Sequence, residues 1–381
     1  MKSPVRLIVL ISAMALCLVS CNMFKKHHKE GRLTVDDGIT VVNLYGSWHD
    51  MGSQYGRLAK EYLIDMLDFI DMRLGGDTSR TEEAYDIAGK LYSGYPEYLE
   101  DFFTGMSESS GISLERLILC NASEYIEGCF FCSAMAVWNE YSEGGLVFGR
   151  NYDVATFGEV DKDVIVTVYH PDDGLVAATI GYAGEIYCVN GFNEKGLFIE
   201  LNNGMPSAGW DIHWEIRPST SELFDLLFKA ESMDDADDFF NSIRSASSFL
   251  IGVADSTEAR LYEWCYDGAR RSDVLTPDGL MVSTNHYVHP DWEYPIPSDA
   301  DSWNSLARRA NMLDRVEENK GKIDVETMKA IMSATIEGGG PYHPLTRYQL
   351  VVEPAEMTVH MKLSCNSGWS RIDLGQYLNS K

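Results

Sequence analysis

The sequence has few cysteines, few basic residues and no long apolar run. Eight cysteines among 381 residues are too few to form a disulfide scaffold. Lysine and arginine number 31 against 58 aspartate and glutamate residues, so the formal charge is −27. This charge repels phosphate backbones and anionic lipid surfaces, which argues against a nucleic-acid partner. The content of 45% hydrophobic and 23% charged residues predicts a globular chain rather than a disordered or fibrous one.

The first twenty residues have the features of a secretory signal. Lys2 and Arg6 precede an apolar run over residues 7–19, which is too short to span a bilayer. The run ends in Leu-Val-Ser followed by Cys21 and resembles the bacterial lipobox, in which the cysteine is lipidated and becomes the mature N-terminus. We expect a signal peptide over residues 1–20, a tether over residues 21–31, and a lipid on Cys21 that anchors the protein to a membrane of the bacterial cell envelope, on its periplasmic or surface face. The alternative is a secreted protein with a free Cys21.

Hydrophobic periodicity predicts a mainly helical segment followed by a sheet-forming one. A strand over residues 39–48 leads into helices over residues 48–74 and 82–125. After Cys129 the pattern changes to short β-type runs with a helix over residues 219–245. No repeat or low-complexity block divides this pattern, so we predict one α+β body. The remaining predicted strands span residues 134–138, 146–149, 164–169, 175–180, 186–189, 197–201, 249–254, 260–266, 280–283, 348–352 and 358–362, and two further helices span residues 302–319 and 325–333.

Cys129 and Cys132 form a CxxC pair that has several interpretations. A redox pair would require a helix N-terminus after a strand, whereas a β-type run follows here. A zinc site would require further ligands, and the segment between Cys132 and His170 contains neither histidine nor cysteine. The sequence therefore predicts no metal and no cofactor. Two buried, inert cysteines remain as the simplest structural interpretation.

A β-hairpin is predicted to bring charged residues close to Cys132. The strand that contains Cys132 meets a turn at residues 142–145 and returns through residues 146–149. Folding at this turn places Cys132 opposite approximately Asp153. An arginine beside a thiol favours the thiolate, and Arg150 is the candidate for this position. Because Arg150 and Asp153 have opposite parity, both can face one site only if the strand bulges or ends near Asn151.

Five segments, in this order along the chain, resemble the linear-amide C–N hydrolases with an N-terminal nucleophile, which include the penicillin acyltransferase family, bile salt hydrolases and penicillin V acylases. The central segment is Cys132-Ser133 followed by Gly-Arg-Asn-Tyr-Asp at residues 149–153. Residues 46–56 resemble the propeptide opening of the acyltransferase branch. The other matching segments are GFNEKGL at residues 191–197, LNN at residues 201–203 and STNH at residues 283–286.

The resemblance implies an αββα sandwich that is made as an inactive precursor and cuts itself between Phe131 and Cys132. It implies a mainly helical propeptide over residues 32–131 and a catalytic chain over residues 132–381. The freed α-amino group of Cys132 would serve as the base for its own thiol. The other implied roles are an ammonium-orienting carboxylate for Asp153, thiolate stabilisation for Arg150, and donation to the oxyanion for Asn202 or Asn203 together with Asn285.

Three features of this assignment stay open at the level of the sequence. Cys129 is a second candidate for the cut because Gly128 precedes it, whereas Phe131 precedes Cys132. Arg347, at the start of a predicted strand, is a candidate for a second active-site arginine, with a structural role as the alternative. The expected substrate is a small N-acyl amide, whose acyl group passes to water or to an amine. The alternative function is an exported ligand-binding lipoprotein that has this fold without catalysis.

Overall fold

The computed structural model describes residues 29–127, 130–154 and 161–380. The predicted signal peptide, most of the tether, the lipidation site Cys21 and the second candidate cut site at Gly128 and Cys129 lie outside the described residues. Within the described ranges, no helix combines the length and the apolar character needed to cross a membrane.

The segment before Cys132 forms two strands and a group of helices. Its first and fourth helices approach closely because both carry glycine where they meet. A Cβ atom on Gly52 would lie 1.9 Å from the carbonyl oxygen of Phe102, and one on Gly105 would lie 2.2 Å from that of His49. The glycine-containing segment at residues 46–56 thus has a packing role. The elements are β1 (Arg32–Asp36), β2 (Ile39–Gly46), α1 (Trp48–Leu58), α2 (Lys60–Leu74), α3 (Thr78–Ser93), α4 (Glu97–Ser110), α5 (Leu114–Asn121) and α6 (Ser123–Glu127).

The larger sheet contains nine strands among the described residues. Its order is β1-β2-β5-β6-β7-β8-β9-β10-β11, and the pairing is antiparallel except between β2 and β5. Every residue of β2 is buried, so the segment before Cys132 forms part of the same sheet as the segment after it. The strands introduced here are β5 (Val164–Pro171), β6 (Ala177–Tyr182), β7 (Asn190–Asn193), β8 (Phe198–Asn203), β9 (Phe249–Ala254), β10 (Ala259–Cys265) and β11 (Gly268–Arg271).

The smaller sheet contains six antiparallel strands among the described residues, in the order β12-β3-β4-β13-β14-β15. One face of its inner strands meets the larger sheet, because the side chain of Arg150 in this sheet reaches Glu200 in the other. The opposite face buries Met135, Val137 and Val147 against helices. The strands are β3 (Phe130–Val137), β4 (Val147–Val154), β12 (Leu280–Ser283), β13 (Thr346–Glu353), β14 (Thr358–Leu363) and β15 (Ser370–Asp373).

Helices cover the outer faces of both sheets. α8 (Ser219–Lys229) and α9 (Met233–Ser242) lie against the larger sheet, and α10 (Ser305–Glu318) and α11 (Val325–Ser333) lie against the smaller one. Short helices α7 (Met205–Ala208) and α12 (Gly375–Leu378) complete the described elements. The layers therefore run helix, sheet, sheet, helix, and the predicted α+β class is confirmed.

Four predicted elements differ clearly from the structure. The helical segment predicted over residues 82–125 is divided among α3, α4, α5 and α6. The helix predicted over residues 219–245 is two helices, because the side chain of Ser232 accepts a hydrogen bond from Asp235 N and caps a second one. The helix predicted over residues 48–74 is likewise divided, at Ala59. Residues 186–189 are buried but do not form the predicted strand, because the backbone N–H of Ile186 donates to the Asn121 side chain rather than to a neighbouring strand.

Candidate active site

Cys132 lies near the start of β3, in an inner strand of the smaller sheet. The hairpin with β4 pairs Cys132 with Tyr152 and Phe131 with Asp153. The predicted pairing of Cys132 with Asp153 is therefore wrong by one residue. The connection is longer than the predicted turn, because it includes a 3₁₀ turn at Asn139–Tyr141 before the Ser142 bend.

This register places Arg150 and Asp153 on opposite faces of β4. Arg150 pairs with Ala134 and shares the face of Cys132, so that its Nη2 lies 3.5 Å from Cys132 Sγ. Asp153 shares the face of Phe131, towards α10 and α11. The β3–β4 register is continuous, so no bulge in β4 brings the two charges to one face. The two charged groups therefore flank the backbone of Cys132 from its two sides.

Arg150 is held by a buried carboxylate that the sequence analysis did not identify. Its Nη1 forms an ion pair with Glu200 of β8, and its Nη2 donates to the carbonyl oxygen of Leu201 at 2.6 Å. Both charged side chains are completely buried. Burial raises the pKa of Glu200 to about 7, although Arg150 acts in the opposite direction. The sequence contained a signal for Glu200. It lies two residues before Asn202, so the two side chains point to the same face of the strand.

The surroundings of the Cys132 thiol disfavour its thiolate form. Burial raises the pKa of Cys132 to about 12, and the guanidinium of Arg150 only partly offsets this effect. A nucleophilic role for this thiol therefore requires a base in its immediate neighbourhood.

The backbone of Cys132 is held by a second arginine and an asparagine. Arg308 on α10 donates from Nη1 to the Cys132 carbonyl oxygen and to Ser133 Oγ, each at 2.6 Å. Its Nη2 donates to Asn285 Oδ1 at 2.6 Å, and the same oxygen accepts the Cys132 N–H at 3.1 Å. In the uncut chain Asn285 thus contacts the nitrogen of the Phe131–Cys132 peptide bond. Its Nδ2 donates to the carbonyl oxygen of Asn203 at 2.8 Å.

The second arginine beside Cys132 is Arg308, whereas the sequence analysis suggested Arg347 for this place. Arg347 instead donates to the Val154 carbonyl oxygen at 2.8 Å and lies 3.9 Å from Asp161. The sequence pattern of α10 contained a signal for this, because Arg308 lies on the buried stripe of the helix together with Ser305, Met312 and Val316. An arginine on a buried helical stripe requires polar partners in the interior.

Asp153 has one oxygen in use and one available. Its Oδ1 accepts a hydrogen bond from Thr346 Oγ1 at 2.5 Å. Among the described residues, its buried Oδ2 has no hydrogen-bond partner and lies 3.8 Å from Arg308 Nη1. Burial raises the pKa of Asp153 to about 7, against the opposing effect of Arg308. A positive group that formed within reach of this oxygen would be stabilised by it.

The two candidate oxyanion residues differ in position. Asn203 lines the same cavity as Cys132, and its Oδ1 accepts a hydrogen bond from Met205 N at 2.8 Å. Asn202 points from β8 towards the other sheet, where its Nδ2 donates to Ser283 Oγ at 2.9 Å. The geometry therefore favours Asn203 as the donor at the cavity. Asn193, in the GFNEKGL segment at residues 191–197, has a structural role. Its Oδ1 accepts hydrogen bonds from the N–H groups of Lys195 and Leu197 in a turn.

An apolar cavity opens beside the Cys132 thiol. Its volume is about 670 Å³ when the solvent-filled mouth is included. Tyr125, which precedes the predicted cut, contributes to its wall and hydrogen-bonds with Thr220 at 3.2 Å. No cluster of metal-ligating side chains occurs in the part of the chain that the structure describes. The cavity is lined by Tyr125, Cys132, Tyr152, Val189, Leu201, Asn203, Met205, Trp210, Ile212, Thr220 and Phe249.

Two facing sheets between helical layers, with a buried cysteine on an inner strand beside a cavity, agree with the N-terminal nucleophile architecture that the sequence resembles. The family model described as acyl-coenzyme A:6-aminopenicillanic acid acyl-transferase matches residues 138–337, more than half of the chain. The chain belongs to this family. The predicted membership of this family is thereby confirmed.

More distant similarities were found to two curated proteins and to solved structures. Protein dcd1B of Dictyostelium discoideum is 23% identical over 64% of this chain and 54% of its own length, and dcd1A of the same organism is 22% identical over 72% and 68%. The chain thus spans about half the length of dcd1B. A Caenorhabditis elegans N-acylethanolamine-hydrolyzing acid amidase ortholog aligns with 58% of this chain and 93% of its own, at 16% identity and a TM-score of 0.46.

Proposed function

We propose that the protein is a self-processing cysteine amidase or acyltransferase that cleaves the linear amide bond of a small N-acyl substrate through a thioester on Cys132. The observation that carries this proposal is the set of contacts around one residue. The thiol of Cys132 lies beside Arg150 and the cavity, and its nitrogen is held by Asn285. Asp153, across the strand pair from Phe131, has a buried oxygen with no hydrogen-bond partner among the described residues.

The first reaction is the cut of the chain itself. Cys132 Sγ attacks the carbonyl carbon of Phe131, the C–N bond to Cys132 breaks, and the thiol proton passes to the released nitrogen. Water then hydrolyses the thioester, which yields a carboxylate on Phe131 and restores the thiol of Cys132. The contact from Asn285 Oδ1 orients the departing nitrogen.

The second reaction uses the amine that the cut creates. An α-amino group has a reference pKa of about 8, which suits a base at neutral pH. It takes the thiol proton as Sγ attacks the substrate carbonyl, and Asp153 Oδ2 stabilises the ammonium that results. Asn203 donates to the oxyanion at the cavity. The ammonium then protonates the leaving amine, and water or a second amine removes the acyl group from the thioester.

The lining of the cavity indicates which part of the substrate binds there. Its wall is mainly apolar and aromatic, and neither Arg150 nor Arg308 is among the residues that line it. The acyl part of the substrate is therefore proposed to be an uncharged, apolar group. The lipobox-like segment ending at Cys21 supports the further proposal that the enzyme is lipid-anchored in the cell envelope.

Intact mass and N-terminal sequencing test the cut directly. The wild-type chain without its signal is expected to yield a fragment that begins at Cys132, and Cys132→Ala is expected to stay whole. Cys120→Ala serves as the control, because Cys120 is buried but lies outside the site. A fragment that begins at Cys129 would keep the mechanism and move the nucleophile. A wild-type chain that stays whole would refute the proposal in favour of a binding lipoprotein.

Trapping of the acyl-enzyme distinguishes hydrolysis from acyl transfer. The cut enzyme is incubated with an N-acyl substrate in water and in water with added amines. A hydrolase is expected to release free acid at an unchanged rate. A product amide that increases with amine concentration, at the expense of the acid, would identify an acyltransferase.

A further inference from the structure

The side chain of Phe131 occupies an aromatic slot on the far side of the Cys132 backbone from the cavity. Phe131 is only 2% exposed and points to the face of β3 that carries Asp153 as its cross-strand neighbour. Its ring contacts Trp303 directly and lies 6.2 Å from the ring of His343. These two half-buried rings define the slot, which Phe131 fills in the uncut chain.

The slot has a fixed wall. Trp303 and Asn304 both adopt a left-handed backbone, with φ of 53° and 59°, which is rare for residues other than glycine. The conformation is maintained by a hydrogen bond from Asn304 N to the Asp299 carbonyl oxygen at 2.8 Å and by Arg308 Nε, which donates to the Trp303 carbonyl oxygen at 3.2 Å. Neither contact involves Phe131, so the backbone at Trp303 is held independently of the ring of Phe131.

The proposed cut makes the position of Phe131 unfavourable. Hydrolysis of the Phe131–Cys132 bond creates a carboxylate on a residue that is buried. The nearest acidic side chain across the strand pair is Asp153, which becomes the partner of the new ammonium. A second carboxylate beside it costs free energy both by repulsion and by burial. The new C-terminus therefore withdraws towards water and leaves the slot empty.

We propose that the emptied slot becomes a subsite for an aromatic or other bulky apolar group on the amine side of the substrate. This inference rests on the proposed function. The slot borders the nitrogen of Cys132, which hands its proton to the leaving amine, whereas the cavity borders Sγ, which takes the acyl group. The two sites adjoin at the rim, because the Trp303 ring contacts Trp210 of the cavity wall at 5.8 Å between centroids.

Paired substrates test the subsite in the cut enzyme. An N-acyl benzylamide and the N-acyl methylamide of the same acid differ only in the group that the slot receives. We expect kcat/KM to favour the benzylamide by at least about tenfold, as a single fitted apolar group does. Trp303→Ala is expected to remove this preference through KM while the methylamide rate is retained. Trp214→Ala is the matched control, because Trp214 is exposed and does not line the cavity.

A binding measurement tests the same inference without turnover. Benzylamine is titrated against the cut wild type and the uncut Cys132→Ala chain, with methylamine as the control for charge. Tryptophan fluorescence is recorded with and without Trp303→Phe. Benzylamine is expected to change the Trp303 signal in the cut enzyme alone, and methylamine is expected to have no effect.

The outcomes separate the two proposals. A wild-type chain that stays uncut refutes the proposed function itself. A cut enzyme with equal kcat/KM for the two amides, or with a preference that survives Trp303→Ala, overturns the subsite and leaves the cysteine mechanism intact. If Trp303→Ala does not fold, the titration decides, because a cut enzyme in which benzylamine leaves the Trp303 signal unchanged also overturns the subsite.

Discussion

Replacement of Arg308 by methionine tests how strongly the site depends on a buried charge. The substitution removes three hydrogen bonds of 2.6 Å, to the Cys132 carbonyl oxygen, Ser133 Oγ and Asn285 Oδ1. It also leaves Asp153, 3.8 Å away, without its nearest cation. The removal of one member of a buried ion pair costs about 3–5 kcal/mol. We therefore expect Arg308→Met to lower the free energy of unfolding by about 4 kcal/mol.

Urea unfolding at pH 8 in the Cys132→Ala background measures this effect. Every chain is then uncut, and the pH lies above the pKa of Asp153, which is about 7. Adding Asp153→Asn removes the uncompensated charge and is expected to recover about 1–2 kcal/mol, since contacting charged residues couple by this amount. Arg315→Met on the same helix removes a partly exposed arginine and is expected to cost less than about 1 kcal/mol.

Two results would refute this reasoning. The first is an Arg308→Met chain that loses less than about 1 kcal/mol, because the network would then not depend on the buried charge. The second is an equal loss whether residue 153 is aspartate or asparagine, because Arg308 would then act through the backbone of Cys132 alone.

Three further predictions concern packing, the oxyanion and pH. Gly52→Ala places a methyl group 1.9 Å from a facing carbonyl oxygen and is expected to cost more than about 3 kcal/mol in urea unfolding, whereas Gly89→Ala, with open space at its Cβ, is expected to be neutral or stabilising by up to about 1 kcal/mol. Asn203→Ala is expected to lower kcat/KM by about 10²- to 10³-fold and Asn202→Ala by much less; equal losses would contradict the assignment. Burial raises the pKa of Asp153 to about 7, so its contribution to the stability of the uncut chain falls as pH rises from about 4 to 7. In urea unfolding, Asp153→Asn is expected to reduce this fall, and Glu200, whose pKa burial also raises, is expected to account for part of the remainder.

Short sequence motifs predicted which residues lie together better than they predicted the register between them. Arg150 and Asn285 were singled out with Cys132, and in the structure each of them contacts Cys132. The register of the β3–β4 hairpin was missed by one residue, because a 3₁₀ turn extends a connection whose glycines suggested a tight one. A one-residue error changes which residues of β4 share the face of Cys132. The predicted register gives that face to Asp153, whereas the structure gives it to Arg150.

Glu200 and Arg308 were missed for a different reason. Each is one charged residue within a pattern that predicts a strand or a helix, and its partner is distant in the chain. Glu200 meets Arg150 from the other sheet, and Arg308 reaches Cys132 across 176 positions. Local periodicity predicts that a residue is buried, but it does not identify the distant residue that pairs with a buried charge. Such pairs follow only from the packing of the two sheets and the outer helices.

The alternation of β3 accounts for the position of the proposed nucleophile. The side chain of Cys132 enters the face with Arg150 and the cavity, while Phe131 and Ser133 point to the face with Asp153 and Arg308. A cysteine at either neighbouring position would direct its thiol away from the cavity. The backbone nitrogen of Cys132 is held by Asn285. In the proposed reaction, the cut turns that nitrogen into an amine beside its own thiol, with the carboxylate of Asp153 on the other face of the strand. The strand would then separate the binding of the acyl group on one face from proton transfer to the leaving amine on the other.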